Sequence, residues 1–271
     1  MTFFKAILLG AVQGLTEFLP ISSSGHLAIM HGIFGEDGAN LSLDVMLHCA
    51  TLFAVAIVYY KEIFALVPAF FKMLGKLLCG KAGRMSGDER LALGLSVATL
   101  PLVFAVFVSD LAESAAKDLR LVGILLMING FVLLLGDKIG KKKKSAREIN
   151  PAQALCIGGC QLLAVFPGLS RSGMTVSGGL AVGLEREEAV KFSFLLSIPA
   201  ILGAALKSVT DIGDTVAAEN ELLYLIAAMI SAAIFGIASL KFIKYLAKKK
   251  NFGIFAYYCM AAGAATVILG R

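Results

Sequence analysis

Charged residues are scarce in this chain, and several long stretches contain none. Asp, Glu, Lys and Arg make up 16% of the 271 residues, whereas hydrophobic residues make up 58%. A soluble domain carries about 25% charged residues, and about 20 apolar residues suffice to cross a bilayer as a helix. The uncharged stretches are Leu91–Ser109, Pro151–Ser170, Leu222–Leu240 and Phe252–Gly270. The composition therefore excludes a soluble domain and predicts a polytopic integral membrane protein.

Other patterns that the sequence lacks narrow the class of membrane protein further. The apolar stretches do not alternate with polar residues, which favours helices over a transmembrane barrel. The five cysteines are an odd number without a supporting histidine pattern, so neither a disulfide framework nor a zinc site is predicted. The apolar N-terminus contains Gln13 and Glu17, which argues against a cleavable signal peptide. The net charge of +6 comes from basic loops and indicates anionic lipid, rather than nucleic acid, as a partner.

A polar interruption, PGLSRSGMT at Pro167–Thr175, separates two apolar runs. Proline lacks a backbone N–H and clashes with the preceding turn, and glycine loosens the chain. We therefore expect one helix to end near Phe166 and another to begin near Ser170. A serine-capped helix N-terminus beside Arg171 is suited to bind an anion. The alternative is that the serines only cap the helix and the arginine only extends to the membrane surface.

A second copy of this arrangement lies 148 positions earlier, in Gly10–Gly25 (GAVQGLTEFLPISSSG). The shift aligns Gly10 with Gly158, Gln13 with Gln161, Phe18 with Phe166, Ser22 with Ser170 and Ser24 with Ser172. Paired broken hydrophobic segments in the two halves of a membrane protein indicate a binding site near the midplane. We therefore predict one integral membrane domain, 1–271, built from repeats at about 1–148 and 149–271.

Each repeat is predicted to contain a re-entrant helix pair and three transmembrane helices, so the fold class is all-α. The re-entrant pairs are Met1–Leu19 with Ser22–Phe34, and Ala152–Phe166 with Ser170–Leu184. The six spans are predicted at Val45–Tyr60, Leu91–Val108, Leu121–Gly136, Phe192–Leu206, Leu222–Leu240 and Phe252–Gly270. An amphipathic helix at Ile63–Leu78 is expected to lie on the membrane surface.

Loop charges predict the orientation of these elements, because basic loops stay in the cytoplasm. The basic connections are Lys61–Arg90, Lys138–Arg147 and Lys241–Lys250, and the acid-leaning ones are Asp110–Arg120 and Lys207–Glu221. Placing the first group inside and the second outside gives the two repeats opposite topologies. The tips of the two re-entrant pairs would then meet inside the membrane.

If the tips meet, they gather polar side chains at membrane depth: Gln13, Glu17, Ser22, Ser23, Ser24 and His26 from one repeat, and Ser170, Arg171, Ser172 and Thr175 from the other. Burying ionised groups there costs at least about 2.5–3.5 kcal/mol each, so a functional role is the default hypothesis. A guanidinium and helix N-termini suit phosphate. A hydroxyl or imidazole activated by a carboxylate suits attack on phosphorus.

Two further interpretations concern individual residues of this cluster. Gln13 and Glu17 are candidates to hold a divalent cation, Mg²⁺ or Ca²⁺, against a diphosphate. A purely structural Glu17–Arg171 ion pair is the alternative to a catalytic cluster. His48, in the first predicted span, is interpreted as a polar residue facing the bundle rather than as a ligand.

The chain resembles the undecaprenyl-diphosphate phosphatase family of bacitracin-resistance membrane phosphatases. One signature is QGLTE at Gln13–Glu17, leading into FLPISSSGH, and the other is PGxSRSxxT at Pro167–Thr175. The resemblance covers essentially the whole chain. Gln13 stands where many members have glutamate, which weakens a two-carboxylate metal site. Ser24 stands where threonine also occurs, and this should matter little.

The resemblance implies hydrolysis of undecaprenyl diphosphate to undecaprenyl phosphate and inorganic phosphate, which recycles the carrier for peptidoglycan and confers bacitracin resistance. The implied catalytic residues are Glu17, Ser23, His26 and Arg171. The remaining hydroxyl and amide side chains of the cluster are expected to bind phosphate. Either Ser23 or His26 attacks phosphorus, with Ser23 preferred.

The alternative function is a transporter or flippase for anionic or lipid-phosphate substrates, since paired broken helices also occur in secondary transporters. The expected location is the bacterial cytoplasmic membrane, with the site open to the periplasmic side. The expected partners are the polyprenyl diphosphate and membrane lipids, and the sequence leaves a homodimer open.

Overall fold

A computed structural model describes residues 2–35, 41–139, 143–208, 221–249 and 252–270. Apart from one parallel bridge between Lys144 and Leu184, the regular structure in these ranges is helical. The α-helices are α1 (Phe3–Phe18), α2 (Ser23–Ile33), α3 (Leu41–Val58), α4 (Tyr60–Leu78), α5 (Gly87–Thr99), α6 (Ala105–Lys117), α7 (Leu119–Ile139), α8 (Pro151–Leu163), α9 (Arg171–Ala181), α10 (Arg186–Ser208), α11 (Glu221–Lys249) and α12 (Gly253–Leu269).

Four helical segments of the described chain are long and apolar enough to cross a bilayer: Gly87–Lys117, Leu119–Ile139, Arg186–Leu206 and Leu222–Lys249. They coincide with four of the six predicted spans. The protein is therefore an all-α polytopic membrane protein, as predicted. Of the other two predicted spans, α12 is a shorter apolar helix, and α3 forms a bent pair with α4.

The bend between α3 and α4 is 90° and falls at Tyr59. Helix α4 thus runs across the direction of α3, and the placement of α4 on the membrane surface stays a prediction. It exposes large apolar side chains, among them Phe64, Phe71 and Leu78, while Met73 is buried.

Proline residues account for two helix boundaries that differ from the predictions. Helix α8 ends at Leu163 rather than near Phe166, because the last N–H groups before Pro167 bond to carbonyls three residues back. The predicted span at Leu91–Val108 is interrupted by a 3₁₀ turn at Leu100–Phe104, which contains Pro101. A proline there cannot donate the hydrogen bond that would continue α5.

Two glycines aligned by the internal repeat occupy equivalent packing positions. A Cβ atom on Gly10 would overlap the carbonyl oxygen of Ala228 in α11, and one on Gly158 would overlap that of Ala98 in α5. Small residues of this kind let membrane helices approach closely. Helices α1 and α8 therefore pack on their neighbours in the same way in the two halves.

Replacing Gly158 with alanine should destabilise the protein. The added methyl must push α8 away from α5, and overpacking of this kind costs about 1–3 kcal/mol. A matched control is the adjacent Gly159, where a Cβ would meet no atom within 4 Å. Gly159→Ala should be neutral or stabilising by up to about 1 kcal/mol, because alanine favours a helix. Thermal unfolding in detergent compares the two variants, and equal midpoints would refute the close α5–α8 contact.

Part of the predicted loop topology falls outside the described residues. This applies to 209–220 in the acid-leaning connection Lys207–Glu221, and to Lys141, Lys142 and Lys250 in the basic connections. The opposite orientation of the two repeats in the membrane stays a prediction.

Candidate functional site

The turns that interrupt the two repeats touch each other. The hydroxyl oxygen of Ser22 accepts a hydrogen bond from the N–H of Gly168 at 3.1 Å. A Cβ on Gly25 would lie 3.1 Å from the backbone of Gly168, so no larger residue fits between the turns without a shift. The two tips therefore meet in the protein, as the sequence predicted.

Ser22 and Ser170, which the repeat aligns, cap the two helices that start at these turns. The Ser22 oxygen accepts from the N–H of Gly25 at 3.2 Å, and the Ser170 oxygen accepts from that of Gly173 at 3.1 Å. Ser22 has a φ of 70°, a left-handed conformation that a non-glycine residue rarely adopts. The caps bring the positive N-terminal ends of α2 and α9 side by side, which favours an anion between them.

Asn129 of α7 joins the two turns and was not predicted. Its side chain is fully buried, donates to the carbonyl of Pro20 at 2.9 Å and accepts from the N–H of Ser170 at 3.1 Å. Ser172 adds a second link by donating to the carbonyl of Leu19 at 3.1 Å. A lone asparagine in an apolar span was the available sequence signal, because such a residue needs a polar partner inside the bundle.

Glu17 is the centre of the polar cluster and is almost fully buried. Its Oε2 accepts from the hydroxyl of Ser23 at 2.6 Å and from the amide of Gln13 at 3.1 Å. Its Oε1 accepts from a guanidinium nitrogen of Arg171 at 2.6 Å. The structure thus joins the predicted acid, hydroxyl and guanidinium, which come from both repeats, through direct contacts.

His48 of α3 also lies against Glu17. Its Nε2 is 3.3 Å from Oε2 of the carboxylate, and its Nδ1 is 2.6 Å from the carbonyl oxygen of Asp44. The residue faces the bundle, as the sequence analysis held, but its contact with the central carboxylate was missed. A histidine in an otherwise apolar span was the signal, and the contact itself depends on how α3 packs beside α1.

His26 lies one helical turn from Ser23 on α2, and its ring bonds to groups other than Glu17. Nδ1 is 2.8 Å from the carbonyl oxygen of Ser22, and Nε2 is 2.7 Å from the hydroxyl of Tyr258 in α12. The two rings stack with centroids 5.7 Å apart. Because a carbonyl can only accept, Nδ1 carries a hydrogen and the lone pair of the neutral ring is on Nε2.

The remaining predicted phosphate ligands differ in whether their hydrogen-bonding groups are already engaged within the protein. Thr175 is buried and bonds to Ser193 of α10 at 2.6 Å, and Arg171 donates to the carbonyl of the same serine at 3.3 Å. Ser24 is half-buried and has a long 3.4 Å contact with Ser22. The buried hydroxyls therefore hold the site in shape, whereas Ser24 and the unused N–H groups of the guanidinium can face a ligand.

The donors available to a cation are few. In the described part of the chain, no group of three or more His, Cys, Asp or Glu side chains lies together as a metal site would require. The Oε1 atom of Gln13 is buried without a hydrogen-bond partner in this part of the chain, directly beside Glu17. One amide oxygen and one carboxylate fit a cation that is held mainly by a phosphorylated substrate, not one held by the protein alone.

These features define an integral membrane protein in which a buried carboxylate–serine–arginine cluster lies beside two serine-capped helix N-termini. The chain belongs to the bacitracin resistance protein BacA family, whose sequence profile matches residues 6–265. An undecaprenyl-diphosphatase of Alkaliphilus metalliredigens is 40% identical over 271 residues, 99% of this chain and 98% of the relative. Proteins with the same name from Methanosphaera stadtmanae and Desulforapulum autotrophicum are 38% and 39% identical, each over 275 residues. These two alignments cover 99% and 100% of this chain, and 98% and 99% of the relatives.

Proposed function

We propose that this protein hydrolyses undecaprenyl diphosphate to undecaprenyl phosphate and inorganic phosphate. The observation that carries the proposal is the contact of Glu17 with Ser23 on one oxygen and Arg171 on the other. The names of the relatives and the family's link to bacitracin resistance support the substrate. A transporter does not need a carboxylate that accepts a hydrogen bond from a serine hydroxyl, so the enzyme is preferred over that alternative.

In the first step, the oxygen of Ser23 attacks the terminal phosphorus. Its proton moves to Oε2 of Glu17, which already accepts its hydrogen bond at 2.6 Å. The bond from this phosphorus to the bridging oxygen breaks, and undecaprenyl phosphate leaves with the electron pair. Ser23 is preferred over His26 as the nucleophile because its hydroxyl already donates to the carboxylate that can take its proton, whereas the ring of His26 has no contact with Glu17 among the described residues.

In the second step, water attacks the phosphoserine, the bond from phosphorus to the serine oxygen breaks, and Glu17 returns its proton to that oxygen. His26 receives the proton of the water on Nε2 as the Tyr258 hydroxyl gives up this acceptor. His26 then passes this proton to the departing inorganic phosphate, which restores the starting state of the site. Throughout, the free N–H groups of Arg171 and the N-termini of α2 and α9 stabilise the charge on the phosphoryl oxygens. Fixed donors in a buried site are usually the largest contribution to such catalysis.

We also propose that a divalent cation, Mg²⁺ or Ca²⁺, enters with the diphosphate. Gln13 Oε1 and one oxygen of Glu17 would bind it, with the substrate providing most of the remaining oxygens. A cation so placed would neutralise diphosphate charge beside the carboxylate. The unpartnered amide oxygen of Gln13 supports this assignment.

Phosphate release from undecaprenyl diphosphate by the purified protein in detergent tests the proposal. We expect turnover, and loss of turnover in EDTA that added Mg²⁺ or Ca²⁺ restores. Turnover that is unaffected by EDTA would rule out the proposed cation but would leave the proposed phosphatase activity unchanged. Transport of lipid phosphate across vesicle membranes without hydrolysis would contradict the enzymatic function and support the transporter.

We propose the bacterial cytoplasmic membrane as the location, with the site open to the periplasm. The loop charges support this orientation. Single cysteines placed at 141–144 and at 211–214, in a variant lacking the five native cysteines, should react with an impermeant thiol reagent from opposite sides of the membrane. Reaction from one side only would rule out the inverted repeats.

A further inference from the structure

A pocket of about 460 Å³ lies between the end of α3 and the second half of α11, and its lining includes none of the residues of the candidate active site. Its lining consists of Ile57, Val58, Ile237, Lys241 and Lys244. Positions 237, 241 and 244 are spaced by four and three residues, so they share one face of α11. The pocket thus combines three apolar walls with two ammonium groups and no carboxylate.

The two lysines are available to an anion. Neither of them makes an ion pair with any residue that the structure describes. The ammonium of Lys244 lies 4.5 Å from the ring centroid of Tyr59, which is buried, so a cation–π contact holds this lysine at the pocket. Lys241 is exposed. Two positive charges on the same helix face, one of them fixed by Tyr59 and the other exposed, suit a phosphate group.

The positive-inside rule predicts a position near the membrane interface for this pocket, because Lys241 begins the basic connection Lys241–Lys250. Tyr59 follows Val58 directly and marks the 90° bend after which the apolar helix α4 crosses the direction of α3. A lipid beside α3 and α11 would place its phosphate at this level and its acyl chains along the exposed side chain of Ile57. The size of the pocket is in the range of about 300–1,000 Å³ that small ligands occupy.

We propose that this pocket binds the headgroup phosphate of an anionic phospholipid of the surrounding bilayer. Basic pockets between transmembrane helices are known to bind such headgroups, and each lysine near the surface is worth about 1 kcal/mol of attraction. The lipid phosphate would add a second link between α11 and the α3–α4 bend, beside the contact of Lys244 with Tyr59. The proposal does not depend on the enzymatic activity.

Retention of phosphatidylglycerol by the purified full-length protein tests the proposal, measured by native mass spectrometry against phosphatidylcholine as the neutral lipid. The double variant Lys241→Gln, Lys244→Gln should lose roughly tenfold or more in the ratio of anionic to neutral lipid retained, from two lost contacts of about 1 kcal/mol each. The matched control is Lys248→Gln, Lys249→Gln, which removes the same charge from exposed positions of the same helix. This control should keep the ratio within about twofold.

A further variant tests the shape of the pocket separately from the charge of its lysines. Ile237→Phe fills the apolar wall without changing a charge and should also reduce phosphatidylglycerol retention. An equal loss in both lysine pairs would show attraction to the overall charge of α11 and overturn the site. Normal retention in both Ile237→Phe and Lys241→Gln, Lys244→Gln would do the same.

Discussion

Ser23→Ala should lower phosphate release from undecaprenyl diphosphate by at least about 10³-fold, since loss of a catalytic nucleophile costs up to about 10⁶-fold in other enzymes. The serine hydroxyl donates to Glu17 at 2.6 Å, so alanine removes both the attacking oxygen and the donor that the carboxylate faces. The site should stay folded, because Gln13 and Arg171 still bond to Glu17.

Ser96→Ala is the control for this variant. Ser96 lies in α5, and its hydroxyl bonds only to the carbonyl one turn back at Ala92, so activity and thermal midpoint should match the unchanged protein. A trapped phosphohistidine together with an active Ser23→Ala protein would move the attack to His26 and leave the phosphatase intact. Normal hydrolysis after substitution of both residues would show that the helix tips are not catalytic.

Much of the fold could be predicted because a membrane requires particular residue types in each helix and in each break. A span needs about 20 apolar residues, and breaks within the membrane need proline, glycine and polar caps, so both features are visible in the sequence. The span that contains Pro101 was predicted, but the break of its α-helix at this proline was not. Pro101 leaves α5 and α6 in one long segment but inserts a 3₁₀ turn, and composition alone does not distinguish these outcomes.

The candidate site could be predicted in part. The internal repeat predicted that Glu17 and Arg171 lie together, because its two aligned breaks carry opposite charges. The structure shows this contact. The contacts of His48, Asn129 and Tyr258 were not predicted because these residues lie outside the two repeated breaks, and their contacts depend on the rotation of their helices. Each is a polar residue inside an apolar span, so the sequence marked the side chains without giving their partners.

Arg171→Lys should lower turnover by at least about 100-fold although it keeps the charge. The guanidinium donates to Glu17 at 2.6 Å and to the carbonyl of Ser193 at 3.3 Å, and its other N–H groups remain for phosphate. An ammonium is a compact charge without this planar set of donors. It can hold the carboxylate or the phosphate, but not both in the same geometry, and removing one fixed donor to a transition-state oxyanion costs about 10²–10³ in rate.

Arg147→Lys is the matched control, because Arg147 pairs with Asp88 at 2.7 Å on an exposed surface where both side chains are about half accessible. Exposed pairs contribute about 0–1 kcal/mol, so this variant should keep full turnover and stability. If Arg171→Lys also retains full turnover, the arginine serves as a point charge, and the Glu17–Arg171 contact is a structural ion pair. If it loses turnover but keeps its thermal midpoint, the loss belongs to the phosphate contacts, because the buried carboxylate is still neutralised.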